Sequence, residues 1–591
     1  MPTTNAGTIE QALRRSRGLL IGVAVFSGVI NVLALTGAIY MLQVYDRVLP
    51  SRSIPTLIAL TLVMAVLFSA SGLLDYCRTR LMSRVGLRID TQLREKVFAA
   101  VQLLPLQTRN GQQGLQSIRD LDQIRSFLSG LGPTALFDMP WVPIYLLVIF
   151  LLHPLLGYFS VAGALLLIVM TILTERRSSG PMLAATKSGA QRMAFGETTR
   201  RNADIIRAMG LGPQAQRRWA ELNTTYVTDQ LHAADAVGGM GAASKVVRFL
   251  LQSGILGLGA YLVILNEVSP GTIIAGSIIM SRALAPIETA IAHWRSFVGA
   301  RQSRRRLIAL FQTLEQDDQK RVTLPTPQHS LTIEGLSVAP PGETQPVIRN
   351  ISFSLKAGDG LGIIGPSGSG KSTLAKALVG VWRPMRMGGS VRLDGAALDQ
   401  WAPDDLGRHI GYLPQDIELF DGTVATNIAR LDPDAPSEAI VAAARTAGAH
   451  DLIVSLPDGY QTQLRDGGTG VSAGQRQRLA LARALYGDPF LVVLDEPNSN
   501  LDEAGDSALT GAIRAVRARG GIVIVIAHRP SALAGVDRVL VMKDGACVAM
   551  KPTEEIVPPV RPPVPTPRTA AAPSGPMVVR VVPDDKSGTP R

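Results

Sequence analysis

Apolar and polar positions divide the chain into two halves with different periods. Before residue 290, six apolar stretches are long enough, or nearly so, to cross about 30 Å of hydrocarbon. They are Leu19 to Val44, Leu57 to Leu74, Leu136 to Leu152, Leu155 to Leu173, Phe249 to Leu265, and Gly271 to Pro286. Arg282 interrupts the last; it would be costly against lipid and is expected to face a protein or water interior or to snorkel to the cytoplasmic rim. The connections after the first, third and fifth stretches are short: Asp46 to Pro55, His153-Pro154, and Asn266 to Pro270. Those after the second and fourth are long and carry Arg78, Arg80, Arg84, Arg88 and Arg94, then Arg176, Arg177, Arg192, Arg200, Arg201 and Arg207. The positive-inside bias then puts both termini and the long connections in the cytoplasm. Arg84 to Leu104 and Gln191 to Ala234 hold few glycines or prolines and read as helices, so the spans are predicted to continue well beyond the bilayer. Asp138 and Pro140 mark the start of the third span.

Arg14, Arg15 and Arg17 before an apolar run have the look of a signal peptide. The run is too long for a signal core and no small-residue cleavage site closes it, so it is read as a retained span. Residues 1–18 are assigned to a cytoplasmic N-terminus and 19–310 to a six-span membrane domain closed by the basic trio Arg304, Arg305 and Arg306. Residues 311–330 are assigned to a linker.

After Leu331 short β-rich runs alternate with helical ones. The strand candidate Leu361 to Ile364 leads directly into Gly365-Pro366-Ser367-Gly368-Ser369-Gly370-Lys371-Ser372-Thr373, and the helical Leu374 to Gly380 follows. This is the full G-x-x-x-x-G-K-S pattern in its required strand, loop and helix context. Glycines let backbone N–H groups close around phosphates, and the helix N-terminus adds the positive end of a dipole. Lys371 then reaches the β and γ phosphates, and the Ser372 hydroxyl ligates Mg²⁺. A second strand, Leu491 to Leu494, delivers Asp495 and Glu496 at the C-terminal end, where parallel sheets bind ligands. Asp495 suits the metal's inner or outer shell, and Glu496 suits polarising the attacking water. ATP and Mg²⁺ are the implied cofactors.

Composition removes the competing classes. The 591 residues are 46% hydrophobic, 5% aromatic and 18% charged, with a mean hydropathy of +0.21, too apolar for a disordered protein. Net charge is +12, but much of the surplus flanks the spans, so nucleic acid is not expected as a partner. Cys77 and Cys547 are far apart and lack metal-ligand spacing, which excludes a disulfide framework or zinc site. Residues 551–591 hold eleven of the 38 prolines and are expected to form a disordered tail, leaving 331–550 as the nucleotide-binding domain.

Further strings narrow the reading. Val471-Ser472-Ala473-Gly474-Gln475-Arg476-Gln477-Arg478 resembles the signature motif of ABC transporters, usually written LSGGQ. Gln415, in Tyr412-Leu-Pro-Gln415, matches their Q-loop, Ser499-Asn-Leu-Asp502 their D-loop, and His528 their switch histidine, in matching order and spacing. The fold class implied is a polytopic α-helical membrane domain of the ABC exporter type, fused to an α/β P-loop nucleotide-binding domain. The resemblance further implies a homodimer in which the P-loop of one subunit and the signature of the other enclose each ATP. It assigns nucleotide contacts to Ser472, Gly474, Gln475 and Asp502, metal binding to Gln415 beside Ser372, general-base work to Glu496, and the γ-phosphate to His528. Ala473 and Val471 replace the usual glycine and leucine, and function is expected to survive so small a change. Leu336-Ser-Val-Ala-Pro-Pro341 stands where an adenine-stacking aromatic is usual.

From about Gly18 to Met550 the chain looks like the permease ATPases of bacterial type I secretion systems, in the branch exporting proteases and lipases. The strings that carry this are Gly380-Val-Trp-Arg-Pro384, Val391-Arg-Leu-Asp394, Gln400-Trp401, Gly411-Tyr-Leu-Pro-Gln415, Glu418-Leu-Phe420, Asn427-Ile-Ala-Arg430 and Glu496-Pro-Asn-Ser-Asn500. The resemblance implies ATP-driven export of an unfolded protein with a C-terminal secretion signal, through a periplasmic membrane fusion protein and an outer-membrane channel. The short stretch before the first span disfavours a leader-cleaving bacteriocin exporter. The alternatives are a lipid or drug exporter and a membrane-tethered regulatory ATPase.

Overall fold

The structure, a computed structural model, describes residues 6–107, 113–315, 324–385, 387–465, 467–468, 470–527 and 529–556. These residues form two compact units, one of those up to 315 with 341–344 and the other of 324–340 with the described residues from 345 on.

In the first unit, helix α1 (Ala6–Arg15) precedes six helical segments that, among the described residues, are long and apolar enough to span a membrane. The first is not one helix: α2 (Arg17–Leu33) and α3 (Thr36–Gln43) are separate, and a π-helical turn (Val44–Val48) follows. Helix α4 (Ile54–Gln107) has 54 residues and therefore a length of about 80 Å, far more than the bilayer core. After α5 (Gln113–Ser129), α6 (Gly132–Asp138) and α7 (Val142–Leu152) come two more long helices, α8 (Pro154–Arg201) and α9 (Gly212–Ile264). The expected helical extensions are therefore present. Gln191 to Ala234 nevertheless contains a reversal: α8 stops at Arg201, a short helix covers Ala203–Ala208, and Gly210 adopts φ +65° before α9 begins with Pro213 in its first turn. A left-handed residue closes one helix and a proline starts the next.

Helix α10 (Pro270–Ala292) runs one and a half turns past Pro286, where the sixth apolar stretch was expected to stop. Pro286 is itself buried, and Ile287 and Ile291 carry the buried face onward, so packing outweighs the lost backbone donor. Half of the apolar window of α10 is buried, against none of that of α4, which makes α10 the central helix of the unit. Arg282 lies on the exposed side of α10. Asp46, in the π-helical turn, accepts a hydrogen bond from the Gly271 N–H at 2.9 Å and another from the Ser269 hydroxyl. A carboxylate thus satisfies the N-terminus of α10. Helix α11 (Trp294–Glu315) ends the unit, where Arg306 and the Ser303 hydroxyl donate to the buried Asp120 of α5.

The second unit holds two main sheets. Strands β1 (Ser330–Val338), β2 (Ile348–Lys356) and β4 (Ser390–Leu393) form an antiparallel sheet in the order β2-β1-β4, extended by Ala396–Ala397. The main sheet is built from β3 (Gly360–Ile364), β5 (Ile410–Leu413), β6 (Leu491–Asp495), β7 (Ile522–Ile526), β8 (Arg538–Lys543) and β9 (Ala546–Pro552). Its order is β9-β8-β3-β7-β6-β5, parallel apart from the edge strand β9. Every residue of β6 and β7 is buried, as continuous apolar strands covered on both faces require. One face packs against α12 (Lys371–Leu378), and the other against α13 (Ala473–Leu485) and α14 (Glu503–Ala518).

Candidate nucleotide-hydrolysis site

Because β3, β7, β6 and β5 are parallel neighbours, their C-terminal ends share one sheet edge. That edge gathers the phosphate loop after β3, Asp495 and Glu496 at the end of β6, and Gln415 just beyond β5. His528, beyond β7, lies outside the described residues.

Within the loop, Gly368 and Gly370 adopt φ of +79° and +93°, the left-handed region that favours glycine. This geometry turns the chain from β3 directly into α12, whose first residue is Lys371. The Lys371 ammonium is buried and donates to the carbonyls of Gly365 and Pro366, at 3.0 Å each. A fixed cation therefore sits within a glycine-rich loop at a helix N-terminus, an arrangement suited to a polyphosphate.

Asp495 is 1% exposed. Burial raises its pKa, opposed by a hydrogen bond from Ser372, while the Glu496 charge raises it further. One carboxylate oxygen, Oδ1, is buried without a hydrogen-bond partner. An orphaned hard oxygen beside a serine hydroxyl at a phosphate cradle fits a divalent cation of the Mg²⁺ type, which takes few protein ligands and completes its shell with phosphate and water. Tyr412, on β5, was not singled out by sequence; its buried hydroxyl also lacks a partner, and burial, with Asp495 nearby, pushes its phenol up to about 12.

Glu496 follows with φ +51°, and its N–H donates to the Ile526 carbonyl of β7 at 3.0 Å. The Gln477 amide donates to the Glu496 carbonyl at 3.3 Å and to that of Pro497. Gln477 belongs to the signature string, but nothing in its position there announced this contact.

Ser472 is the N-cap of α13 and forms a reciprocal capping box with Gln475: Ser472 N–H to Gln475 Oε1 at 2.8 Å, and Gln475 N–H to Ser472 Oγ at 3.2 Å. The signature sequence is thus also a helix-start sequence. Gly474, at the second position of α13, packs against the carbonyl of Asn500. Asp502 caps α14 by accepting from Gly505 N–H at 2.8 Å and pairs with Arg478. The backbone bond first and the guanidinium second hold its carboxyl below the usual range. Gln415 is exposed.

Residues 348–499 match the family described as ABC transporter, and residues 19–285 match the ABC transporter transmembrane region. A type I secretion system ATP-binding protein, PrsD, of Rhizobium meliloti (strain 1021) is 52% identical over 546 residues, covering 92% of this chain and 93% of that protein. The cyclolysin secretion/processing ATP-binding protein CyaB of Bordetella pertussis is 31% identical, over 90% of this chain and 75% of its own length. The leukotoxin translocation ATP-binding protein LktB of Mannheimia haemolytica is 29% identical, over 92% and 77%. A solved structure of a bacterial Atm1-family ABC exporter with ATP bound shares the fold with a TM-score of 0.77, at 22% identity, over 91% of this chain and 96% of that one. The chain belongs to the ABC transporter family and, within it, to the type I secretion ATP-binding proteins: it is a multi-pass inner-membrane protein whose cytoplasmic domain couples ATP hydrolysis to transport.

Proposed function

We propose that two copies of this chain use ATP to export an unfolded protein bearing a C-terminal secretion signal, with a periplasmic membrane fusion protein and an outer-membrane channel as partners. The observation that carries this reading is the likeness, along nearly the whole chain, to a type I secretion ATP-binding protein. The cargoes named for two further relatives, cyclolysin and leukotoxin, favour a polypeptide over a lipid or drug.

At the site, Gly365 to Thr373 cradle the phosphates and Lys371 neutralises them. Ser372 and Asp495, joined by Gln415, would hold Mg²⁺, which would supply charge neutralisation at the transferring phosphoryl group. Glu496 orients and polarises the attacking water as general base, and His528 steadies the γ-phosphate. Ser472, Gly474, Gln475 and Asp502 present the second subunit's face to the nucleotide. The domain division follows the same reading, with 19–310 as the conduit, 331–550 as the motor and 551–591 as an appended tail, corrected at two edges: α11 carries the conduit to Glu315, and β9 with a short helix, Thr553–Ile556, carries the motor to Ile556, beyond which the tail lies outside the described residues.

The test is deletion of the gene in its own cell, followed by comparison of secreted polypeptides. Loss of a specific secreted protein, restored by the wild-type chain but not by Glu496→Gln, supports the proposal. An unchanged set of secreted proteins, with ATPase activity stimulated by a small amphiphile in liposomes, would instead select the lipid or drug exporter. No transport defect of either kind would select the regulatory ATPase.

A further inference from the structure

We propose that Gln477 is a positioning residue for ATP hydrolysis, holding the Glu496 backbone in a strained conformation from the signature helix. The proposal rests on the reading of Glu496 as general base.

Glu496 has φ +51°, in the left-handed region that a side chain with a Cβ rarely adopts. Such a conformation persists only where the surroundings over-determine it. Both peptide groups of Glu496 are fixed. Its N–H is tied to strand β7 through Ile526, and its carbonyl accepts from Gln477 Nε2. The same Nε2 donates to the Pro497 carbonyl and lies 3.4 Å from Ser499 Oγ, while Gln477 Oε1 accepts the Asn500 N–H at 3.0 Å. A primary amide alone among ordinary side chains of this length presents donors and an acceptor together, and reversing it would set oxygen against two carbonyls.

Gln477 is 2% exposed, so none of these bonds is shared with bulk water. The neighbouring turns of α13 hold the same segment: Gly474 lies against the Asn500 carbonyl, and Arg478 pairs with Asp502. The first turns of the signature helix therefore clasp residues 496–502 at three points. Gln477 is the point nearest the reacting atoms, and it acts on them through Glu496.

The experiment compares Gln477→Glu, Gln477→Met and Glu496→Gln in the purified full-length protein, measuring kcat, KM for ATP and binding of a fluorescent ATP analogue. Gln477→Glu keeps the acceptor for Asn500 but turns a carboxylate on the Glu496 and Pro497 carbonyls. Gln477→Met keeps the volume and removes both functions. Displacing a catalytic group costs about 10- to 100-fold in kcat. Both variants are expected to show that loss, with KM changed by less than about threefold and analogue binding retained, the pattern of an interaction made in the transition state. Wild-type kcat in both variants while Glu496→Gln is inactive overturns this proposal alone. Wild-type turnover in Glu496→Gln overturns the general-base reading and this proposal with it. Should Gln477→Met fail to bind the analogue, Gln477→Glu decides. Failure of both to bind would make Gln477 a folding residue and overturn the proposal.

Discussion

Gly474 lies directly against the backbone carbonyl of Asn500: a Cβ built on it would stand 2.8 Å from that oxygen. The obstructing atom is main chain, so a methyl group there must displace the segment that carries Glu496 or the start of the helix. Ala473, one residue earlier, is exposed at the first helical position and faces no such wall. Of the two glycines usual in this motif, only the second is sterically required here. Gly474→Ala is expected to lower steady-state phosphate release by about tenfold or more, because small displacements of catalytic groups carry large costs. Ala473→Gly should change it by less than about twofold, since a single exposed terminal helix position contributes well under 1 kcal/mol.

Lys371 and Glu496 are expected to separate binding from chemistry. The Lys371 ammonium is held by two loop carbonyls at 3.0 Å, so Lys371→Ala removes the phosphate-facing charge and the cross-link between them, while the Pro366 carbonyl keeps the Ser369 N–H. Equilibrium binding of an ATP analogue should be lost. Glu496→Gln preserves shape and should retain binding while turnover falls by about 10² to 10⁴-fold, the usual cost of losing a general base. Turnover close to wild type in Glu496→Gln would remove the assignment.

Asp495 sets function against stability. Its folded pKa is raised, chiefly by burial, so its ionised form is penalised in the ligand-free fold. The sign follows from linkage: the destabilisation is complete above the raised folded pKa and disappears as pH falls toward the unfolded value of about 3.9. Asp495→Asn removes the penalty at neutral pH. It is expected to raise the ligand-free unfolding temperature of the second unit by about 2 to 4 °C for each kcal/mol relieved, while abolishing Mg²⁺-dependent hydrolysis. Thermal scans without nucleotide, run from pH 8 downward, should show the gap between variant and wild type narrowing as pH falls through the raised folded pKa. A variant less stable than wild type at pH 8 would contradict the burial argument.

Much of this was legible in the sequence for a definable reason. Long apolar runs, the phosphate loop and the strand-borne acids obey local rules, because periodicity, φ preferences and helix capping each act within a few residues. The helical extensions were legible for the same reason. The reversal at Gly210 was missed because the long runs of helix formers on either side outweighed the turn signal of Gly210-Leu-Gly212-Pro213. Ser472 and Gln475 were placed as nucleotide contacts by resemblance, and the structure adds that they close a capping box, a role their three-residue spacing also encodes. Gln477 could not be found, since its partners lie about twenty residues away and only the folded chain brings them together. Asp138 read as a helix start for the same reason: its partners are separated from it by 60 and 107 residues.

Those partners give the final prediction. Arg78 donates to both oxygens of Asp138, at 2.9 and 3.0 Å, to Ser27 Oγ at 3.0 Å, and to Asp75. Asn31 donates to Asp138 at 2.8 Å and accepts from the Tyr145 hydroxyl at 2.9 Å. The first three spans are thus joined by one polar cluster in which Arg78, Asn31, Ser27 and Tyr145 are all buried. Removing one member of a buried ion pair costs about 3 to 5 kcal/mol, because the survivor remains desolvated without its counter-charge. Asp138→Ala should fall at the low end, since Asp75 still faces Arg78, whereas Arg78→Ala leaves the half-buried Asp138 without its counter-charge and should cost more. Paired substitution at both positions should be less harmful than the sum of the two, by at least about 0.5 kcal/mol, as for residues sharing one network. Unfolding temperatures in detergent for the four proteins of that cycle test the claim: strictly additive losses would mean that the contact, however short, contributes nothing to holding the spans together.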